Sequence, residues 1–263
     1  MKTVATDIDY FVPPHSIVRK IWGNAEVVLF IFAGAAAEFS LNKAVDWLYF
    51  TGKLPQDPIG RLFSTVSYAG KIIFFEKSTA LNVIDKMRQI HRGVENARGS
   101  AIPDWAYRDV LYMLISYSVS AFELIERKLS TGEKEEVFHV FTAVGKRMGL
   151  KDLPGSYNEW VASRAAHLKQ DLQKSSYTTD LYKQYRKHLG AFRYMVLLQV
   201  QSRLVPAEVS VLLGLSPSFI LPAAIRIYKI FTFLRMGFLI RPVLLPSKYR
   251  SQFMTLEHRD NPL

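Results

Sequence analysis

Every residue from Val27 to Ala37 is apolar, so any helix formed there is greasy on all sides until Glu38 ends the run. Such a helix has to be surrounded. This is the longest uninterrupted apolar stretch in the chain, and it falls well short of the roughly 20 residues needed to cross a bilayer. It therefore predicts the buried centre of a helical bundle and argues against an integral membrane protein. With 263 residues, 49% of them hydrophobic, the chain can supply the surrounding layer.

Elsewhere apolar residues recur at three- and four-residue spacing between short clusters of Pro, Gly and Asp, which predicts an all-α fold, a single bundle of about ten helices. The central helix is expected over 24–50, closed by Thr51 and Gly52. Gln56-Asp57-Pro58 offers an N-cap and a proline at the first helical position, opening a helix through Arg61, Thr65, Tyr68 and Ile72. After Ser78 a helix carries Leu81, Ile84, Met87, His91 and Val94 on one stripe, so a histidine lies on an apolar face. Pro103-Asp104 opens a long amphipathic helix to about Lys128, and Ser130-Thr131-Gly132-Glu133 is a capping box for the next one. Further helices are expected over 157–173, over 178–189, and from Phe192 with an interruption at Pro206.

Residues 1–215 read as one helical domain, and 216–263 as a basic amphipathic helix and tail packed on it. The stretch 217–241 sets Arg226, Lys229 and Arg235 among apolar pairs, before Pro242 and Pro246 break it. It suits either a helix packed on the bundle or one lying on anionic lipid headgroups. Charge is uneven along the chain. The net charge is +11, and residues 161–263 hold 15 basic against 5 acidic side chains, whereas the rest is nearly neutral. That asymmetry implies either a solvated basic surface or peripheral contact with an anionic membrane through residues 161–263. There are no helix-turn-helix cues and no basic–aromatic interleaving, so nucleic acid is not expected as a partner. Residues 1–10 carry Asp7 and Asp9 and lack the basic start and apolar core of a signal peptide, so a cytoplasmic, soluble or peripherally bound protein is expected.

The absence of cysteine removes disulfides, thiolate-bound metals and a cysteine nucleophile. The six histidines, His15, His91, His139, His167, His188 and His258, form no His-x-x-x-His pair and only one Glu-x-x-His, Glu136 to His139, so the usual zinc signature and the paired di-iron helix signature are missing. No Gly-x-Ser-x-Gly elbow, Walker loop or Gly-x-Gly-x-x-Gly occurs. What remains is His91 on its apolar stripe, which by itself reads as either a hydrogen-bonded core histidine or a ligand.

Two blocks weight that choice. Asp57-Pro58-Ile59-Gly60-Arg61-Leu62-Phe63-Ser64-Thr65 and Ile90-His91-Arg92-Gly93-Val94 resemble, in order and spacing, the Asp-Pro-x-x-Arg-Leu-x-x-Thr and His-x-x-Val signatures of the MpaB-type and rubber oxygenase (latex-clearing protein) family. The likeness continues through Ile102-Pro103-Asp104-Trp105, residues 129–133, Gly149-Leu150 and Leu153-Pro154, spanning roughly 15 to 215. The resemblance implies an all-helical bundle with a globin-like core around haem b. It also implies His91 as the axial iron ligand, Arg61 and Thr65 on the open side of the haem, and Tyr68 and Met87 beside it. The implied activity is that of a haem-dependent oxygenase that uses O2 to cleave a carbon–carbon double bond in, or to hydroxylate, a small apolar, isoprenoid or lipid-like substrate. A neutral imidazole on a greasy face suits that role, because water competes poorly there for iron. Arg61 serves equally as a partner for dioxygen or for a propionate, and Thr65 as a hydrogen-bond donor or as a hydroxyl bonded to its own helix.

The chain also departs from the family pattern. Ser64 stands where rubber oxygenases with a closed resting state have lysine, so a lysine-capped iron is not expected. The family's catalytic glutamate lies upstream, where Glu38 and Asp46 are the candidates, either of them also able to pair with Lys43. Ser40-Leu41-Asn42-Lys43 replaces the His-Pro of many relatives, and Glu95 stands where relatives often have arginine. A non-catalytic helical protein that binds haem or lipid is the alternative function.

Overall fold

Ten helices and no strand form the described part of the chain, residues 8–52 and 56–216 of a computed structural model. They are α1 (Ile17–Gly23), α2 (Ala25–Leu41), α3 (Asp46–Phe50), α4 (Pro58–Phe74) and α5 (Lys77–Arg98), followed by α6 (Asp104–Ile125), α7 (Thr131–Met148), α8 (Tyr157–Gln170), α9 (Ser176–Leu204) and α10 (Ala207–Leu213). The all-α bundle expected from periodicity is the architecture found. Among the described residues no single helix is long and apolar enough to cross a membrane.

The apolar run becomes α2, the centre of the bundle, packed chiefly against α6 and then α9. Its contact with α6 is close because Gly34 has no side chain. A Cβ there would lie 2.3 Å from the edge of the Tyr117 ring, which is fully buried. Asn24 turns the chain through 86° between α1 and α2, its side-chain oxygen accepting from the backbone N–H groups of Glu26 and Val27 at 3.1 and 3.0 Å. Trp22 at the end of α1 reaches across to α6, where its indole N–H donates to Ser118 at 3.1 Å. This satisfies the one polar atom of a large buried ring.

The expected helix over 24–50 is two helices. At Asn42 the chain leaves α2 and pairs with residues 171–173 instead. Lys43 N donates to the Asp171 carbonyl at 2.9 Å, and Gln173 N to the Leu41 carbonyl at 2.7 Å. The Asn42 side chain completes the break, accepting from Ala44 N at 2.9 Å and donating to Asp109 on α6 at 2.6 Å. The same pairing ends α8 at Gln170 rather than at residue 173. The two segments expected over 178–189 and from Phe192 are both found: α9 consists of two helical stretches that meet in a kink at Gly190, whose φ of +75° and ψ of 168° are not helical and suit a residue without a side chain. Pro206 interrupts as expected, between α9 and α10. The expected C-terminal helix at 217–241 and its breaks at Pro242 and Pro246 lie outside the described residues.

Candidate functional site

α4 and α5 form a hairpin joined at Phe75 and Glu76. Asp57 accepts from Gly60 N at 3.0 Å and Pro58 fills the first turn, so α4 starts where the cap and the ring of proline require. The hairpin is held by Ile72 of α4 against Ala80 and Ile84 of α5 and Val144 of α7, with Val83 and Met87 packed on that cluster. His91 lies two turns beyond Ile84 on the same side of α5 and is half-buried.

His91 is oriented by its own helix. Nδ1 lies 2.8 Å from the carbonyl oxygen of Met87. A carbonyl only accepts, so Nδ1 carries the proton and Nε2 keeps its lone pair. Burial lowers the imidazole pKa below its ordinary 6.5, and nearby Arg61 pushes the same way, against the Met87 hydrogen bond and Glu95. The ring is therefore neutral at neutral pH. A neutral ring with Nδ1–H on Met87 and a lone pair on Nε2 is the form that a ligand to haem iron requires.

The α4 residues follow at three- and four-residue spacing. Arg61 is exposed, and together with Gln56, Asp57, Gly60 and Ser64 it lines an open cleft of about 330 Å³. Thr65 is exposed, and its hydroxyl donates to the Arg61 carbonyl at 3.3 Å, the local bond that serine and threonine often make in a helix. Tyr68 is half-buried one turn further on. His91, Met87 and Arg61 thus come together, with Ser64 and Thr65 beside Arg61 on α4.

The two upstream carboxylates lie in other surroundings. Glu38 is buried at 1% exposure in the last turn of α2, where both its oxygens meet the guanidinium of Arg164 from α8 and Oε2 also accepts from Tyr117 at 2.7 Å. Burial disfavours the Arg164 charge, but Glu38 outweighs it and raises the pKa. Burial, then Glu38, drive the Tyr117 phenol far up. Asp46 opens α3 and accepts from Arg98, at the last turn of α5, at 2.6 Å; that guanidinium lies 4.0 Å from the centre of the Trp47 ring. Neither carboxylate pairs with Lys43, whose amine donates to the Gln170 carbonyl.

One cluster was missed by reading local motifs. His167 Nδ1 of α8 lies 2.5 Å from Asp109 Oδ1 and 3.1 Å from Asp171 Oδ2. The trio has ligand-type atoms close enough to share a cation. Burial, and then Asp109, raise the Asp171 carboxyl pKa. The four-residue spacing of His167 and Asp171 was the only signal along the chain, because Asp109 arrives from α6.

No curated protein and no solved structure matches this chain. A protein-family model does, over residues 19–242, and its description is ER-bound oxygenase mpaB/B'/rubber oxygenase, catalytic domain. The match takes in the whole α4–α5 hairpin together with the helices that bury Glu38, Arg164 and Tyr117, and by it the chain belongs to the mpaB/rubber oxygenase catalytic-domain family.

Proposed function

We propose that the protein is a haem b-dependent oxygenase, whose iron His91 Nε2 would hold. Its reaction with O2 is the cleavage of a carbon–carbon double bond in a small apolar, isoprenoid or lipid-like substrate, or the hydroxylation of that substrate. The observation that carries the reading is the Met87 carbonyl at 2.8 Å from His91 Nδ1, which leaves the opposite nitrogen for a metal. When bound, haem supplies the activation of dioxygen. Arg61 brings positive charge to the neighbouring cleft, where it neutralises a propionate or a partly negative oxygen. Thr65 adds a hydroxyl one turn away, and Tyr68 and Met87 contribute apolar surface. Ser64 brings a hydroxyl to the cleft and no amine.

Of the two upstream carboxylates, Asp46 takes the acid–base role in this reading. Arg98 ties it to the helix that carries His91, whereas Arg164 and Tyr117 engage both oxygens of Glu38. The substrate is delivered from an anionic membrane by the basic C-terminal part. Support comes from α9, where Lys183, Arg186 and Lys187 are exposed before the kink and Phe192 and Met195 are 57% and 54% exposed after it. Co-sedimentation with anionic but not neutral vesicles checks this contact.

The decisive measurement is the absorption spectrum of protein produced with ample haem. A strong Soret band that disappears in His91→Ala supports the reading. A colourless wild-type protein, or a band that survives His91→Ala, overturns it. The second reading, a non-catalytic haem or lipid carrier, is favoured by the Thr65 hydroxyl being spent on the Arg61 carbonyl. It predicts a filled pocket and no oxygen consumption with any prenyl substrate.

A further inference from the structure

On the other side of His91, the C-terminal part of α5 is bound to the start of α6 through a single carboxylate oxygen. Glu95 Oε1 accepts from the backbone N–H of Ile102 at 2.9 Å and from the hydroxyl of Tyr107 at 3.2 Å. The Tyr107 ring in turn meets the His91 imidazole edge to face, with centroids 5.3 Å apart and planes at 73°. Glu95 therefore fixes both the turn between the two helices and the aromatic ring on which the histidine rests. Burial, then the Glu95 charge, raise the Tyr107 phenol, so its hydroxyl stays a donor to Glu95 at all ordinary pH values.

The bond from Nδ1 to the Met87 carbonyl is one contact on a side chain with two rotatable bonds. One hydrogen bond restrains the ring but leaves it able to swing and to exchange tautomer; a packed neighbour removes that freedom. We propose that Tyr107, held by Glu95, is a positioning residue for His91, locking the imidazole so that Nδ1–H stays on Met87 and Nε2 stays presented. The value of this lock to the protein rests on the haem reading, but the lock itself belongs to the chain without haem.

The test uses the full chain and four variants, Glu95→Ala, Glu95→Gln, Tyr107→Ala and Tyr107→Phe, with far-UV circular dichroism confirming that each is folded. In the haem-free protein, nitrogen-15 NMR of the histidines should show His91 as the Nδ1–H tautomer alone in wild type and in Glu95→Gln, whose amide oxygen still accepts both bonds. Glu95→Ala and Tyr107→Ala should add the Nε2–H tautomer. Tyr107→Phe, which keeps the ring and loses only the tether, decides the matter if a larger truncation fails to fold, and should show the same mixture. On titration with haemin, the truncated variants should bind about tenfold more weakly or worse, and Glu95→Gln within about twofold of wild type. An unchanged single tautomer in Glu95→Ala and Tyr107→Phe overturns the proposal even if haemin binds. A wild-type chain that shows the predicted tautomers but takes up no haemin overturns the haem reading and leaves the lock standing.

Discussion

Arg164 on α8 clasps Glu38 on α2 with both terminal nitrogens of its guanidinium, across 126 residues of sequence and inside the core. The side chains are 7% and 1% exposed. A carboxylate left in such a place without its partner keeps the full cost of desolvation, and so does a lone guanidinium.

Truncating either partner is therefore expected to destabilise the fold by about 3–5 kcal/mol, whereas Tyr117→Phe, which removes one of Glu38's hydrogen bonds, should cost about 1–3 kcal/mol. Urea unfolding of Glu38→Ala, Arg164→Ala and Tyr117→Phe measures this. A loss below 1 kcal/mol in both alanine variants would show that the pair is solvated.

Gly34→Ala gives a test of sign. By helix propensity alone the substitution should stabilise α2 by about 1 kcal/mol. The new methyl would instead meet the Tyr117 ring, which cannot retreat from the core. Overpacking of this kind costs about 1–3 kcal/mol, so the variant should be less stable than wild type. Thermal unfolding reads the sign directly.

His91 makes stability depend on pH. Its pKa is lowered in the fold, so the unfolded chain binds the proton more tightly. The neutral ring's contribution is complete above the ordinary value of 6.5 and is lost as pH falls below it towards the lowered folded value. Melting temperature should drop between about pH 7 and pH 5, and His91→Gln should flatten that part of the curve. Equal slopes in the two proteins would mean that the imidazole is already solvated.

The cap of α7 should behave as its residues suggest. Ser130 accepts from Glu133 N and Glu133 from Ser130 N. Ser130→Ala is expected to cost about 1 kcal/mol. The Arg127 hydrogen bond, followed by the bond from Ser130 N, pulls the Glu133 carboxyl down to about 2. Its stabilising effect is thus full above 4.5 and lost as the pH falls towards 2. Comparing Glu133→Gln with wild type across that range should show a stability difference that shrinks with acid.

The amino-acid sequence by itself determined the all-α class and the starts of the helices that carry their own caps. The apolar run at 27–37, the cap at Asp57-Pro58 and the box at Ser130 and Glu133 act within a few residues of one another, so their effects are local and legible. The order of the Asp57–Thr65 and Ile90–Val94 blocks likewise carried the family, because a helical hairpin brings its two arms together with a short connection.

Tertiary structure decided what lies between helices distant in sequence. The break at Asn42 depends on residues 171–173, the partner of Glu38 comes from α8, and the Asp109–His167–Asp171 trio comes from two elements and the turn after one of them. Even Glu95, four residues from His91, acts through a tyrosine on the next helix. Spacing fixes which side of its own helix a residue faces; what waits there is set by how the helices pack, and that depends on the whole core at once.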